Sequence, residues 1–409
     1  MVGAAKPEVA GLRARAPAGR ARAVDAVRGV VMIVMALDHL RDFLGDAHGD
    51  ATDLAQTTAP LFASRWITHF CAPTFFLLAG MSAYLSIQSG RRTIGQAARF
   101  LAVRGLALVV LEQTLLHGAW YFHFDYHFMN AGVLYGLGLA MVLLAGFVWL
   151  PPAVSLVVGL AIILGEGAIA ALDPGPGHGG LATLVALATT SRDFEPVTGF
   201  HFYVSYPPIP WFGAMAFGYG LASIGYRGGS LRRWPLAGFG AAFLVLFALA
   251  RWFGLGDPSP WTLQRDALYT ALSFVNVSKY PPSTVFLLVT LGGALLALAV
   301  WVARPFGGSL VSRILEQFGR VPLFFYVLHI PVIHLVAVIY SYAAFGDATW
   351  LTTGPVIFWD VALPGSPASY GLSLGWIYAV WAALIAALYP ACRPAYRWFA
   401  TRGRRDRRD

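Results

Sequence analysis

The sequence predicts an all-α fold, a polytopic integral membrane bundle of about ten transmembrane helices with both termini in the cytoplasm. Three observations predict this fold class. Hydrophobic residues make up 57% of the 409-residue chain and charged residues only 12%, whereas soluble domains carry about 25% charged residues. Apolar segments long enough to cross a bilayer recur along the chain. Basic residues concentrate in alternate connections between these segments, which is the pattern of cytoplasmic loops.

Ten apolar segments mark the predicted transmembrane helices, because about 20 apolar residues are needed to cross a bilayer. They lie at about 24–43, 61–88, 98–118, 131–149, 152–172, 208–226, 234–254, 283–303, 320–342 and 368–391. We predict one transmembrane domain over residues 24–392. Residues 1–23 are rich in Ala, Arg, Pro and Gly and have no apolar core, so they are predicted to be a disordered basic cytoplasmic tail. Residues 393–409 form a second basic cytoplasmic tail.

The distribution of positive charge sets the predicted orientation. With the N-terminus in the cytoplasm, all but six of the 29 basic residues lie on the cytoplasmic side. The six on the other side are Arg41, Arg65, Arg192, Arg251, Arg265 and Lys279. The opposite orientation would place the arginine-rich short loops outside, against the positive-inside rule. The sequence therefore predicts an even number of spans in a multi-pass protein of the cytoplasmic membrane. Long outer loops at about 173–207, 255–282 and 343–367 are long enough to carry function.

Composition and motifs exclude several classes of function. The net charge of +9 would suggest nucleic acid in a soluble protein, but here it is explained by topology, so we predict no nucleic-acid partner. The two cysteines, Cys71 and Cys392, lie near opposite ends of the chain and indicate neither a disulfide framework nor a metal site. No metal is predicted, because the histidine-rich run 117–127 has no HExxH-like ligand spacing. The sequence contains no GxxxxGK[ST] phosphate loop and no GxSxG nucleophile motif, which argues against coupling to ATP.

The first apolar segment carries ionisable residues on one helix face. Arg28 and His39 are eleven residues apart, so at 100° per residue they share a face, about 16 Å apart along the axis. Ionisable side chains inside a membrane are costly and indicate a functional site by default. An imidazole suits a general base at neutral pH, and Asp38 or Asp42 could orient the ring and stabilise its charged form. The alternative is a structural histidine bonded to a neighbouring helix.

Three further segments carry candidate site residues. His69 lies one to two turns below the outer surface of the second segment and is a candidate second acid/base or acceptor ligand. Glu112 stands among Leu and Val in the third segment. Lys279 is the only lysine outside the N-terminal tail, and at the outer rim it could bind an acidic group. With His329, Glu112 and Lys279 are the candidate substrate-binding residues.

Helical spacing adds two expectations about packing. His329 and His334 are five residues apart, about 140° around a helix, so they cannot point the same way and one is expected to be structural. Gly80 and Ser82 are small and would permit close helix packing.

Four stretches, taken together, resemble a known family. They are "RAVDAVRGVVMIVMALDHLRDF", "RWITHFCAPTFFLLAGMSAYL", "KYPPSTVFLLVTLG" and "GRVPLFFYVLHIPVIHL". In this order they resemble the bacterial branch of the heparan-alpha-glucosaminide N-acetyltransferase catalytic family, over about residues 22–345. The first two are also similar to the wider membrane acyltransferase superfamily, although Ala79 stands where that superfamily usually has serine. In the eukaryotic branch an asparagine occupies the His39 position and the key histidine lies in the following loop. His48 would be its counterpart, so the catalytic imidazole could be His39, His69 or His48.

The resemblance implies acyl transfer across a membrane. An acyl-CoA, usually acetyl-CoA, would be the cytoplasmic co-substrate, and a sugar hydroxyl or amine on the far side would be the acceptor. The family histidine would fall on His39, and the basic residues that contact the CoA phosphates would fall on Arg28, Arg92, Arg99 and Arg104. Arginine is well matched to phosphate, and the extended pantetheine arm is comparable in length to the Arg28–His39 separation. A site enclosed by protein would also protect the thioester from hydrolysis.

One alternative function and several partners stay open from the sequence. A proton-coupled secondary transporter or flippase would use Glu112, Glu166 and the histidines as a relay. Transporters often contain inverted repeats, but the two halves of this chain share no evident pattern. The expected partners are the lipid bilayer, acyl-CoA and an extracytoplasmic carbohydrate-type acceptor. Large apolar faces and Gly-rich segments also permit a homodimer.

Overall fold

The computed structural model describes residues 18–46, 49–173, 175, 179–227, 230–303, 309–353 and 365–405. These residues form an all-α polytopic membrane protein, as predicted, with short strands in the connections. The helices are α1 Ala18–Leu44, α2 Ala59–Thr68, α3 Cys71–Gln88, α4 Ile94–Leu111, α5 His117–Tyr121, α6 Val133–Phe147, α7 Pro152–Leu164, α8 Glu166–Ala170, α9 Leu181–Thr189, α10 Pro208–Gly225, α11 Arg233–Trp252, α12 Ala267–Val275, α13 Thr284–Ala303, α14 Leu310–Arg320, α15 Pro322–Phe345, α16 Thr349–Thr352 and α17 Leu374–Arg405. A π-helical turn, Glu112–Leu116, joins α4 to α5.

Six helical segments in the described ranges are apolar and long enough to cross a membrane. They are Ala59–Gln88, Ile94–Tyr121, Arg233–Trp252, Thr284–Ala303, Pro322–Phe345 and Leu374–Trp398. The shorter helices α6 and α7 are also apolar. Each of the ten predicted segments contains a helix. The count of ten crossings and the cytoplasmic termini stay predictions.

Helices extend into both of the predicted tail segments. Residues 1–17 lie outside the described part of the chain, and α1 begins at Ala18, within the predicted tail 1–23. At the other end α17 continues to Arg405, so a helix extends into the basic segment 393–409. The predicted domain limits therefore differ from the helix limits by several residues at each end.

Helix α1 lies inside the bundle. It contacts α2, α3, α13, α14, α15 and α17. Its side chains Met32, Leu40 and Phe43 are fully buried. Because neighbouring helices surround the C-terminal half of α1, the side chains of Asp38, Arg41 and Asp42 are largely shielded from solvent.

Small residues set the close crossing of α3 and α10. At Gly80 a Cβ atom would overlap the backbone carbonyl of Met215, and at Gly218 it would overlap the backbone of Leu77. The predicted close packing at Gly80 is thus confirmed, and it is reciprocal. Ser82 has a second role, because its hydroxyl accepts a hydrogen bond from the Arg28 guanidinium at 3.1 Å.

Replacing Gly80 with alanine will destabilise the protein by about 1–3 kcal/mol, because the added methyl group forces two packed backbones apart. The measurement is thermal unfolding of purified protein in detergent. Gly146→Ala is the matched control, since a Cβ there meets no atom within 4 Å, and alanine is the better helix former by about 1 kcal/mol. Equal midpoints for the two variants would contradict the proposed crossing.

A small sheet lies beside the predicted outer ends of the helices. Its strands are β1 Phe128–Ala131, β2 Asp193–Val197 and β3 Phe200–Val204, in the order β1-β3-β2. Strands β1 and β3 are parallel, and β2 and β3 are antiparallel. The sheet holds Asn130 beside Ser205, whose hydroxyl donates to the Asn130 side-chain oxygen at 2.5 Å. A second pair, β4 Tyr226–Arg227 and β5 Ser230–Leu231, is a short hairpin.

The connection between α11 and α13 is organised around one buried arginine. The Arg251 guanidinium donates to the carbonyls of Phe274 at 2.9 Å and Ser259 at 2.6 Å, and also to those of Ser273 and Asn276. These bonds satisfy a charge that is only 2% exposed. They hold in place the chain that leads into Lys279.

Candidate active site

A cavity lies around the C-terminal half of α1, where α1 faces α2, α15 and the sheet. Its wall includes Met35, Asp38, His39, Asp42, Arg65, Thr68, Glu112, Trp120, Asn130, Ser205, Tyr206, Lys279, Tyr280 and Tyr326. The predicted residues His39, Asp38, Asp42, Glu112 and Lys279 are therefore brought together. The other predicted residues, His69, His329 and the four arginines, do not contribute to this wall.

His39 is held by hydrogen bonding and by aromatic rings. Its Nδ1 lies 2.8 Å from Nε2 of His329 on α15. Its ring packs edge-on against Trp120, with centroids 5.1 Å apart, and against Tyr326, with centroids 6.1 Å apart. Trp120 is also hydrogen-bonded to Tyr326. The imidazole therefore has a defined orientation at the cavity wall.

The carboxylate of Asp38 belongs to an ion cluster and does not orient the histidine ring. Its Oδ1 lies 2.5 Å from Arg41 and its Oδ2 lies 2.6 Å from Arg65. Asp42 is 3.4 Å from Arg41. The sequence allowed Asp38 or Asp42 to orient the His39 ring, but Nδ1 of that ring is bonded to His329. For Asp38 the reason is helical geometry, since adjacent side chains diverge by about 100° and Asp38 is paired with Arg65 of α2. Asp42 is paired with Arg41 instead.

His69 lies apart from the cavity, although Arg65 and Thr68 of α2 line it. The His69 ring is buried and packs edge-on against Phe286, with centroids 5.6 Å apart. Its Nδ1 is buried without a hydrogen-bond partner among the described residues. His69 follows the last residue of α2, and it interacts electrostatically with Arg65 and Lys279 without lining the cavity. His48, the third candidate histidine, lies outside the described residues.

Glu112 connects the π-helical turn to the start of α6. Its carboxylate accepts a hydrogen bond from the backbone N–H of Leu134 at 2.9 Å. A carboxylate is favourable at a helix N-terminus, where N–H groups lack intrahelical partners. Asn130 and Glu112 thus give the cavity a polar wall. Glu166, which a transporter relay would use, does not line it.

Lys279 contributes a cation to the cavity. Its ammonium lies 4.9 Å from the ring centroid of Tyr280, and it interacts electrostatically with His39 and Asp38. Within the described ranges it makes no ion pair with a carboxylate. A cation so placed can meet negative charge on a substrate.

The predicted CoA-binding arginines lie toward the other end of α1. Arg92 donates to the Ser86 hydroxyl at 2.8 Å and lies 3.8 Å from the ring centroid of Phe100. Arg104 approaches the same ring at 5.7 Å and interacts electrostatically with Arg28 and Arg92. Arg99 is exposed on α4. The positive charges of Arg28, Arg92 and Arg104 are close enough to interact, so together they favour an anion between them.

Arg28 is more firmly bound within the protein than the other three. It donates to Asp25 at 3.2 Å, to the Gly319 carbonyl at 3.0 Å and to Ser82. Asp25 also accepts from Arg320 at 3.0 Å. Arg28 therefore ties α1 to α3 and α14, and it is a positive charge at the edge of the arginine cluster.

The two histidines of α15 have different roles, as their spacing predicts. His329 is fully buried and faces His39, so it is not on the cavity wall where a substrate-binding residue would lie. His334 is also fully buried, and its nitrogens lie 3.1 Å from the Ala119 carbonyl and 2.9 Å from the Leu351 carbonyl. His334 therefore links α15 to α5 and α16.

Two exposed histidines near the sheet pair with acids. The Nδ1–H of His201 donates to Asp193 at 2.6 Å, which raises the pKa of His201 above its usual value. Asp125 accepts hydrogen bonds from His127, which lowers the pKa of the Asp125 carboxyl. The His201 imidazole and the Asp125 carboxyl therefore each stay ionised over a wider pH range than an isolated group would. No cluster of three or more His, Cys, Asp or Glu side chains that could hold a metal ion occurs in the described part of the chain.

Several wall residues were missed from the sequence. Trp120, Tyr280 and Tyr326 come from separate segments, and aromatic residues are too common in this chain to single them out. Asn130 lies in a strand that the apolar pattern did not predict. Arg65 carried a usable signal, because it is a basic residue on the side where the positive-inside rule disfavours one.

Comparison with known families identifies the family to which this chain belongs. The model for the catalytic region of heparan-alpha-glucosaminide N-acetyltransferase matches residues 20–253. The match includes His39, Asp38, Arg65 and Glu112 and ends before Lys279. No curated protein was found to match the chain. Since the matched region covers more than half of the chain, this protein belongs to the heparan-alpha-glucosaminide N-acetyltransferase catalytic family, a family of membrane acetyltransferases.

Proposed function

We propose that this protein transfers an acetyl group from cytoplasmic acetyl-CoA to a hydroxyl or amine of a carbohydrate-type acceptor across the membrane. The observation that carries the proposal is the position of His39, whose oriented imidazole lines a cavity inside the bundle. A helix that only anchors the protein would not need such a group. Acetyl is the group that the family membership supports.

His39 acts as the general base in a direct transfer. The acceptor oxygen or nitrogen attacks the thioester carbonyl carbon, and its proton moves to His39. The new C–O or C–N bond forms, the C–S bond breaks, and CoA leaves as a thiolate. The thiolate takes up the proton held by the His39 imidazolium, which restores the base. A positioned base contributes about 10²–10⁴-fold to such a step. The protein wall excludes water from the thioester.

Three other wall residues act on the substrates. Lys279 stabilises the negative charge that develops on the acyl carbonyl oxygen, since it is a cation without a carboxylate partner among the described residues. Glu112 and Asn130 accept hydrogen bonds from the acceptor. Asp38 is a positioning residue, because its pairing with Arg65 joins α1 to α2 beside the base.

The arginine cluster binds the nucleotide end of the donor. Arg92 and Arg104 contact the phosphates, Arg99 adds positive charge at the surface, and Arg28 forms the inner edge. Helix geometry places Arg28 about 16 Å along α1 from His39, a distance that the extended pantetheine arm can span. The cluster lies on the cytoplasmic side of a domain that crosses the membrane ten times with both termini inside, in a membrane such as a bacterial inner membrane.

Replacing Arg92 or Arg104 with alanine will weaken acetyl-CoA binding by about 10–100-fold, because a hydrogen bond to a charged group contributes about 1.5–3 kcal/mol. Isothermal titration of the purified protein in detergent measures the affinity, and added salt will weaken it further. Arg265→Ala is the matched control, because Arg265 lies 3.5 Å from the Tyr269 ring centroid on the predicted outer side. If both variants bind acetyl-CoA as the wild type does, or if the wild type does not bind it, the donor site is wrong.

A further inference from the structure

We infer that His329 is a positioning residue that selects the tautomer of His39, so that His39 presents an unprotonated Nε2 to the cavity. The inference rests on the proposed function in one respect, since it concerns the same imidazole. It adds to that function the role of His329, which lies outside the cavity wall, and it specifies which nitrogen of His39 carries the proton.

The protonation of His329 follows from its backbone contacts. Its Nδ1 lies 3.0 Å from the Phe325 carbonyl oxygen and 2.8 Å from the Tyr326 carbonyl oxygen. Carbonyl oxygens only accept hydrogen bonds, so this nitrogen must carry the proton. A neutral imidazole has one N–H. The other nitrogen of His329, Nε2, is therefore an acceptor.

The protonation of His39 follows from that of His329. Nδ1 of His39 lies 2.8 Å from Nε2 of His329, and two lone pairs would repel each other there. Nδ1 of His39 must therefore be the donor. Its Nε2 then carries the lone pair, and no described residue makes a hydrogen bond to that nitrogen. The nitrogen that is left for the cavity is the basic one.

The ring geometry supports a hydrogen bond between the two imidazoles. The ring planes are inclined by 26°, and the centroids are 5.0 Å apart. The N–N distance of 2.8 Å spans most of the 5.0 Å between the ring centroids, so the two rings meet edge to edge and not face to face. The bond therefore lies near both ring planes. His329 is fully buried against Phe325 and cannot turn to another partner without breaking its carbonyl bonds.

This arrangement does for His39 what an acid does for the histidine of a Ser-His-Asp triad. It sets the tautomer and the ring orientation, and it accepts a hydrogen bond from the imidazolium that forms when Nε2 takes a proton. The difference is that the partner is a neutral ring, held by carbonyls of its own helix. Asp38 is unavailable for the role because both of its oxygens are bound to arginines.

The test compares two substitutions of His329 with one of His334. His329→Phe keeps a buried ring but removes the acceptor, whereas His329→Gln supplies an amide oxygen that can accept from His39. His334→Phe is the matched control, because His334 is equally buried on the same helix and its ring nitrogens lie within hydrogen-bond distance of backbone carbonyls only. Size-exclusion chromatography and thermal unfolding establish that each variant is folded.

Turnover of acetyl-CoA with glucosamine as the probe acceptor is the first measurement. We expect His329→Phe to lower kcat by about 100-fold with KM for acetyl-CoA unchanged. A mispositioned base loses part of the rate enhancement of about 10²–10⁴-fold that a positioned general base contributes. His329→Gln should recover at least a tenth of the wild-type kcat, and His334→Phe should stay within threefold. A His329→Phe variant that turns over like His334→Phe would overturn the inference.

Chemical modification separates this inference from the proposed function. Diethyl pyrocarbonate acylates an imidazole nitrogen that bears a lone pair, and mass spectrometry follows the modification of His39 without any acceptor. We expect His39 to react several-fold more slowly in His329→Phe and at the wild-type rate in His334→Phe. Equal rates in all three proteins would overturn the tautomer assignment, even if acetyl transfer occurs. The two ideas therefore fail in different experiments. Equal modification rates would overturn the tautomer assignment, whereas unchanged turnover of His39→Ala would overturn His39 as the proposed base.

Discussion

Replacing His39 with alanine will reduce kcat for acetyl transfer by about 10²–10⁴-fold, the contribution of a positioned general base. Affinity for acetyl-CoA should stay within threefold, because the arginine cluster lies at the other end of α1. Release of free CoA from acetyl-CoA, with glucosamine as the probe acceptor, measures the rate. Titration calorimetry of the same preparation measures donor binding.

His69→Asn is the matched comparison for His39→Ala. From the sequence His69 was a candidate second acid/base or acceptor ligand, but its ring packs against Phe286 and does not line the cavity. We expect His69→Asn to keep kcat within tenfold of the wild type. If His69→Asn abolishes turnover and His39→Ala does not, the assignment of the base must be reversed.

Replacing Asp38 with asparagine will destabilise the protein by about 3–5 kcal/mol, the cost of breaking a buried ion pair from one side. The substitution leaves Arg41 and Arg65 buried without their shared carboxylate, and their side chains are only 8% and 11% exposed. The expected result is a lower thermal unfolding midpoint and less folded protein on extraction into detergent.

Asp42→Asn separates this effect from a general loss of charge on α1. Asp42 lies one turn further along the helix, and its described ion pair is a longer contact of 3.4 Å with Arg41. We expect it to cost less than half as much as Asp38→Asn. The double variant Asp38→Asn, Arg65→Met should regain part of the lost stability, because it removes one of the stranded charges. Equal stability of Asp38→Asn and wild type would show that the cluster is hydrated.

Helical elements were predictable because their signal is local. A bilayer-spanning helix requires about 20 apolar residues in a row, and each of the ten predicted segments contains a helix. The stripe from Arg28 to His39 was likewise readable, since the pitch of an α-helix alone decides which of its residues share a face. The divergence of His329 and His334 followed from the same geometry and is seen in their different partners.

The residues that form the site were only partly predictable from the sequence. His39, Asp38, Asp42 and Glu112 were proposed as ionisable residues of apolar segments, and Lys279 as a lone lysine at the outer rim. All five line the cavity. Nothing local assigns a partner to each of them. The sequence allowed Asp38 to orient His39, whereas the packing of α1 against α2 and α15 joins Asp38 to Arg65 and His39 to His329.

By itself the sequence determined that this chain is a multi-pass helical membrane protein whose first helix bears a basic and an imidazole group on one face. Hydrophobicity and helical pitch are properties of consecutive residues, so they need no knowledge of the neighbours. Only the tertiary structure decided which histidine faces the cavity, that His39 is bonded to His329, and that Asp38 is paired with Arg65. The hydrogen bond between His39 of α1 and His329 of α15 joins residues 290 positions apart, and its existence depends on how the helices pack.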